Sequence, residues 1–252
     1  MTPTVHIFVS CRRPELQPLS LLVFRSLRVG FPTAPVVIHL NPSACDASTV
    51  SACQRIGREI GATVIGSSAH QHDEWIEDRL KSERDPIAIV DTDMVFYESV
   101  EGWQFRHPIA GAYEPRHLNP VTKVVHWDRL HTSLLFVRPQ DLRERIAGWT
   151  WRLPRLPFKI QTSLFRQQWL VMAGHLVLAD TNCLLYQATG GDAFTPEQRD
   201  AYSHLHCGTW SDVAGVSIPG LKDLHARTLQ DPEAARGCWR KFEEWYTANP
   251  GS

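Results

Sequence analysis

The chain has 252 residues, a formal net charge of −1 and 43% hydrophobic residues, enough to bury a full core and without a global charge that would select a nucleic acid or a membrane. Its six cysteines (Cys11, Cys45, Cys53, Cys183, Cys207, Cys238) are scattered with no C-x-x-C pair, which argues against a zinc finger or a disulfide frame and fits free thiols in a reducing compartment. No apolar run approaches the roughly 18 residues of a membrane span. The weakly apolar start of the chain precedes Arg12 and Arg13, the wrong order for a signal peptide, so the cytoplasm is the expected location.

In chain order, Val5-His6-Ile7-Phe8-Val9 reads as a buried strand, followed by a helix from Leu19 to Val29 that Gly30 and Pro32 close. Val36 to Leu40 is a second strand ended by Asn41-Pro42. Asp46 or Ser48 caps a helix running to about Ile60, with Gly61 as its stop. Thr63-Val64-Ile65 makes a third strand, Asp73 to Leu80 a third helix and Ile87 to Val90 a fourth strand. This alternation predicts an α/β fold with a mostly parallel central sheet flanked by helices. Further on, Ile109 to Tyr113 and Leu134 to Val137 read as strands, and Thr162 to Ala173 as a helix. Leu176 to Leu178 and Leu184-Leu185-Tyr186 read as short strands. The tail from Gly220 to Thr247 reads as two helices broken at Asp231-Pro232. No repeat or linker marks a boundary, so one domain over 1–252 is expected.

The segment Ile87-Ala88-Ile89-Val90-Asp91-Thr92-Asp93-Met94-Val95-Phe96 carries the most chemistry. In extended backbone Asp91 and Asp93 point the same way, at the carboxyl end of a buried strand, where open α/β sheets bind ligands. Two such carboxylates can hold a hard divalent cation, which in turn can hold a diphosphate. The triplet alone turns up by chance in about half of chains this long; its weight comes from the strand before it and the apolar continuation after it. The chain has no G-x-G-x-x-G, no Walker lysine loop and no G-x-S-x-G elbow. Phosphates must be neutralised another way, which favours a metal.

A βαβα half ending in "IVDTDMVF" resembles the GT-A class of metal-dependent glycosyltransferases. The later order is similar to the retaining, glycogenin- and galactosyltransferase-like branch. It includes a strand opening a Glu-Pro turn (Ala110 to Pro115), a strand with small polar residues before an apolar run (His131 to Val137) and a late His-containing segment (Ser203 to Gly208). The resemblance implies a nucleotide-binding half over 1–113, an acceptor-side half over 114–252, and a hexosyltransferase using a nucleotide-sugar, UDP favoured. It implies that Val9, Ser10, Cys11 and Arg12 hold base and ribose. Asp91 would bind ribose, or the metal through water, with Thr92 between, and Asp93 would ligate the metal directly. Two departures stand out. The branch's Asp-Gln pair has Gln167-Gln168 as its nearest match, and Leu205 stands where the late motif has His. Retention and inversion both stay open.

A metal held by Asp93 and diphosphate oxygens wants a further ligand, and an imidazole commonly supplies it. His204 or His206 is the expected donor, His206 ahead of His204 because Gly208 lets the backbone approach a phosphate closely. His70-Gln71-His72-Asp73 is equally rich in ligands, yet it precedes a helix and reads as a cap built on Asp73. For catalysis, an inverting course needs a carboxylate base, for which Asp192 after Gly190-Gly191 is the best-placed residue. A retaining course would draw on Gln167 or Gln168 and Asp180. Between Pro115 and Ala179 ten Lys/Arg face three Asp/Glu, a segment of +7 interleaved with Trp127, Trp149, Trp151 and Trp169. Such a stretch suits either a solvated basic face or a polyanionic acceptor such as nucleic acid, for instance hydroxymethylated DNA. A metal-dependent nucleotidyltransferase or nucleotide-sugar hydrolase, and a non-catalytic binding module, are the other classes the sequence allows.

Overall fold

The computed structural model describes residues 2–9, 17–43, 45–69, 71–118, 124–147, 167–172, 175–205 and 221–237. The first half alternates as its sequence periodicity requires: β1 (Thr4–Val9), α1 (Gln17–Gly30), β2 (Val36–Leu40), α2 (Ala47–Glu59), β3 (Thr63–Gly66), α3 (His72–Ser82) and β4 (Ile87–Val90). Asp46 caps α2 by accepting the Thr49 N–H at 2.7 Å, and Gly61, at φ +64°, takes the left-handed conformation that ends it. Then come β5 (Met94–Phe96), β6 (Ile109–Glu114), β7 (His117–Leu118), β8 (Val125–His126), β9 (Arg129–Val137) and α4 (Pro139–Ala147). The remainder comprises β10 (Gln168–Met172), β11 (His175–Ala179), α5 (Cys183–Thr189), β12 (Asp192–Ala193), α6 (Pro196–Asp200), β13 (Tyr202–His204), α7 (Leu221–Gln230) and a 3-10 turn at Pro232–Ala235.

The main sheet has seven strands in the order β12-β6-β9-β4-β1-β2-β3. All its strands run parallel except β9, which is antiparallel to both β4 and β6. Period-two alternation fills both faces. Val5, Ile7, Val9, Ile38, Leu40, Ala88 and Val90 pack against Phe24 and Leu27 of α1 and Ile56 of α2. Phe8, Ile87, Ile89, Leu135 and Val137 turn the other way, onto Trp75, Ile76 and Leu80 of α3 and onto Leu142 and Leu185. Each fully buried Ile or Leu contributes about 1.5–3 kcal/mol against exposure. The chain moves outward from β1 to β2 to β3, then returns to lay β4 on the opposite side of β1. That reversal opens a crevice beyond the carboxyl ends of β1 and β4, the place where such sheets take ligands.

Four expectations are corrected. Residues 168–172 form a strand, paired with β11 from Gln168↔Ala179 to Met172↔His175, where a helix through Ala173 was expected. The backbone of residues 168–172 pairs along that ladder, and Trp169 and Val171 are strand-favouring residue types. Leu184-Leu185-Tyr186 is helical within α5, because so short an apolar run fits either period and Asn182 (φ 69°) and Gly190 (φ 66°) bracket one helical unit. The strand expected from Leu134 begins earlier, at Arg129, since it spans both β4 and β6. Asp73 is not the α3 cap: Gln71 holds that position, and Asp73 lies in the first turn, accepting the Glu74 N–H at 2.8 Å. No disulfide joins any two of Cys45, Cys53 and Cys183. No described helix is long and apolar enough to cross a membrane.

Candidate metal centre

Asp91 leaves the end of β4, and residues 91–93 form a turn instead of prolonging the strand. The reason lies in β5, which departs from the main sheet to pair antiparallel with β13, in the register Tyr202↔Phe96 to His204↔Met94. The turn still brings the two carboxylates together, and β13 delivers an imidazole to them. Ligand atoms of Asp91, Asp93 and His204 all lie within 4.8 Å of one another. His204 Nε2 is 3.2 Å from Asp93 Oδ2, and the Leu205 N–H donates to the Asp93 carbonyl at 2.8 Å, tying β13 to the turn. Asp93 and His204 are buried, whereas Asp91 is partly open.

Each member is held from a different element. The Asp91 N–H donates to the Ser133 carbonyl of β9 at 2.8 Å. His131, two residues back on β9, accepts the Ser133 N–H on Nδ1 at 3.1 Å, and its ring centroid lies 5.1 Å from that of His204. Ser133 Oγ is buried with no hydrogen-bond partner among the described residues. From α3, His72 places Nε2 3.0 Å from Asp91 Oδ1. The site is strongly acidic. Burial alone would lower the pKa of His204, but Asp93, through charge and hydrogen bond, and then Asp91 and Glu114 more than offset it and leave it raised. His72 behaves alike: burial is the largest single effect and pulls down, but Asp91 through charge and hydrogen bond, with Asp73 and Asp93, together outweigh it and the net direction is up.

Two carboxylates and an imidazole this close, drawing positive charge onto the buried His204 and the part-exposed His72, are a group that could hold a metal ion. Asp93 and His204 would hold it from the buried side and Asp91 from the open side.

The remaining expected site residues separate into groups. Val9 ends β1, the neighbour of β4, accepts the Asn41 N–H at 3.2 Å and is buried in the core. Thr92 lies in the turn itself. Ser10, Cys11, Arg12, His206 and Gly208 lie outside the described residues. Asp180 follows β11, and Arg129 links it at 2.8 Å to a second carboxylate, Glu114, at 2.7 Å. Gln168 sits on β10 opposite Ala179, and the Gln167 N–H donates to Asp73 Oδ2 at the start of α3. Asp192 is not brought to the cluster. Its strand pairs with Ala110, level with Phe136 and Ala88 and so well back from the carboxyl edge, and both its oxygens are taken by His107 N and Nδ1 at 2.8 and 2.7 Å. Those bonds outweigh burial and lower its pKa, so it is a poor proton acceptor.

The basic segment also looks different in three dimensions. Arg129 is buried between its carboxylates, Arg138 serves Asp141 and the carbonyls of Phe105 and Arg106, and Arg143 binds the carbonyls of Leu80 and Glu83. Lys123, Arg152, Arg155, Lys159 and Arg166 lie outside the described residues. The sequence sets His72 aside with its ligand-rich neighbours because they read as a helix start. The available signal is its place on a helix packed over the strand that ends in Asp91.

The chain matches no protein-family model and no curated protein. Among solved structures it is similar to the galactosyltransferase LgtC in complex with donor and acceptor sugar analogs, at TM-score 0.46 and 10% identity over 90% of this chain and 95% of that one. It is also similar to the mannosyltransferase PcManGT from Pyrobaculum calidifontis in complex with GDP-Man and Mn²⁺, at TM-score 0.41 and 15% identity over 60% of this chain. A third is the bifunctional WbbM structure, at TM-score 0.38 and 9% identity over 57% of this chain. The matches span 48% of PcManGT and 32% of WbbM.

Proposed function

We propose that this protein is a metal-dependent glycosyltransferase that moves a sugar from a nucleotide-diphospho-sugar, UDP-linked by preference, to a hydroxyl acceptor. One observation carries the reading: Asp91, Asp93 and His204 converge within 4.8 Å at the switch point of a mostly parallel sheet. When bound there, Mn²⁺ or Mg²⁺ supplies positive charge to a diphosphate leaving group. The chain's own residues do the rest. Asp93 and His204, buried and tied to β13, fix the inner side of the centre, and Asp91 closes the open side. The exit of β1 at Val9, next to β4, is the place for the nucleoside. Asp180 and Gln168, neighbours across the β10–β11 pair, are assigned the side of the transferred sugar. Asp192, tied to His107, takes no part.

A thermal-shift panel tests this with UDP-, GDP- and dTDP-sugars, each with Mn²⁺ or with EDTA, on wild type and Asp93→Ala. A ligand at a hundred times its dissociation constant adds about 2.7 kcal/mol, which a melting curve resolves. The expected result is a shift with one nucleotide class that needs metal and vanishes in Asp93→Ala. Equal melting with every donor, with or without metal, sinks the proposal.

A further inference from the structure

His72 is the first residue of α3, and its ring lies nearly parallel to those of Phe8 and Trp75, at 6.3 Å and 19° and at 5.8 Å and 16°. Phe8 and Trp75 are themselves stacked at 5.3 Å and buried to 5% and 1% exposure. Two immobile rings thus set the plane of the imidazole, and its Nε2 edge meets Asp91 Oδ1 at 3.0 Å. The sheet explains why the partner is Asp91. Ile87 and Ile89 face α3, and Asp91 continues their alternation just as the strand ends.

We infer that His72 is a positioning residue for the cation centre, donating Nε2–H to Asp91 so that one carboxylate oxygen is occupied and the other is presented to the ion. The inference rests on reading Asp91, Asp93 and His204 as a cation site. A terminal carboxylate torsion is soft, and Asp91 is the one acid of the pair that is partly open to water. Its backbone is fixed by Ser133, but that bond leaves the carboxylate free to turn. The imidazole removes that freedom before the ion arrives. Partners of this kind, one bond removed from a metal, typically change its affinity by about 10- to 100-fold.

The test measures Mn²⁺ binding by electron paramagnetic resonance of the free ion, with and without UDP, and needs no turnover. His72→Phe keeps a ring on Phe8 and Trp75 but has no donor. His72→Gln keeps a donor, and His72→Met matches its length without one, which preserves the comparison should His72→Phe fail to fold. Expected are about tenfold or greater losses of Mn²⁺ affinity in His72→Phe and His72→Met, with His72→Gln within about threefold of wild type. Metal-free melting temperatures of Gln and Met variants should agree. Wild-type affinity in the Phe or Met variant, or Gln no better than Met, overturns the inference; if Asp93→Ala still abolishes Mn²⁺ binding in that case, the cation site itself stands. Should wild type bind no Mn²⁺ under either condition, the cation reading falls, and the role of His72 with it.

Discussion

Arg129 is nearly buried, at 8% exposure, and joins Glu114 on β6 to Asp180 after β11. Burial alone would lower its pKa, but Asp180 and then Glu114 more than offset this and hold the guanidinium charged. Next to it burial pushes the Cys183 thiol up to about 12, so that side chain stays protonated and unreactive. Replacing Arg129 by Met leaves two carboxylates without their cation. The expected loss is about 3 kcal/mol in urea denaturation, the low end for a broken buried pair because both acids keep some water. Adding Glu114→Gln to that variant should return part of the loss, and strict additivity of the two changes would contradict the shared network. By composition, Arg129 belongs with the basic residues of an acceptor face. Charge counting registers sign and spacing, not pairing, so the carboxylates that claim it are invisible to it. Asp91 and Asp93 stand out through ligand chemistry at a strand end, although a turn, not the expected strand alternation, brings them together, and the sequence placed His206 ahead of His204. His72 is set aside, since a histidine at a helix start has an ordinary explanation until the helix is placed over β4.

At the scale of elements, the first half is readable because each unit changes period cleanly and carries its own stop. Asp46 illustrates such a local signal, and Asp46→Ala should cost about 1 kcal/mol through the lost Thr49 N–H bond. In a chain of this size that corresponds to a melting point about 2–4 °C lower. An unchanged melting point would mean that α2 starts without its cap. Later elements resist reading for a physical reason. Trp169-Leu170-Val171 and Leu184-Leu185-Tyr186 are too short to establish a period, and partners elsewhere decide their fate: β11 makes the first a strand, and the bracketing turns at Asn182 and Gly190 make the second a helix. The turn at Asp91–Asp93 belongs here too, because only the distant pairing of β5 with β13 pulls the chain off its strand.

Across the whole molecule, the α3 face of the sheet conceals a second feature that the sequence shows only as two strand histidines. His6 on β1 and His39 on β2 meet at 2.9 Å, both essentially buried, beneath Trp75. Burial first, with the nearby Arg79 adding to it, lowers His6 to about 4; burial, then His6 and Arg79, lowers His39 to about 3. Both are neutral when folded at neutral pH. Below about pH 6.5 the unfolded chain takes up protons that the folded one refuses, so stability falls as pH falls. The slope is about 1.4 kcal/mol per pH unit for each histidine, and it ends only where the folded pair itself protonates, near 4 and 3. Urea midpoints taken from pH 7 down to 4.5 should show this, and the His6→Gln/His39→Gln double variant should show a shallower decline. Parallel declines in the two proteins would remove the pair from the acid response.

The third arm of the acidic cluster arrives on β13, long after Asp91 and Asp93 in the order of synthesis. A nascent chain that has folded β1 to β4 therefore has Asp91 met by His72 of α3, but Asp93 without the His204 imidazole that complements it. Closing that gap means bringing distant segments together, a slow kind of step whose entropy is repaid only at the end. Whatever affinity the finished cluster has for a cation is thus also a clamp on the last strand pairing, so ion concentration should govern how firmly this late-made part of the protein stays docked.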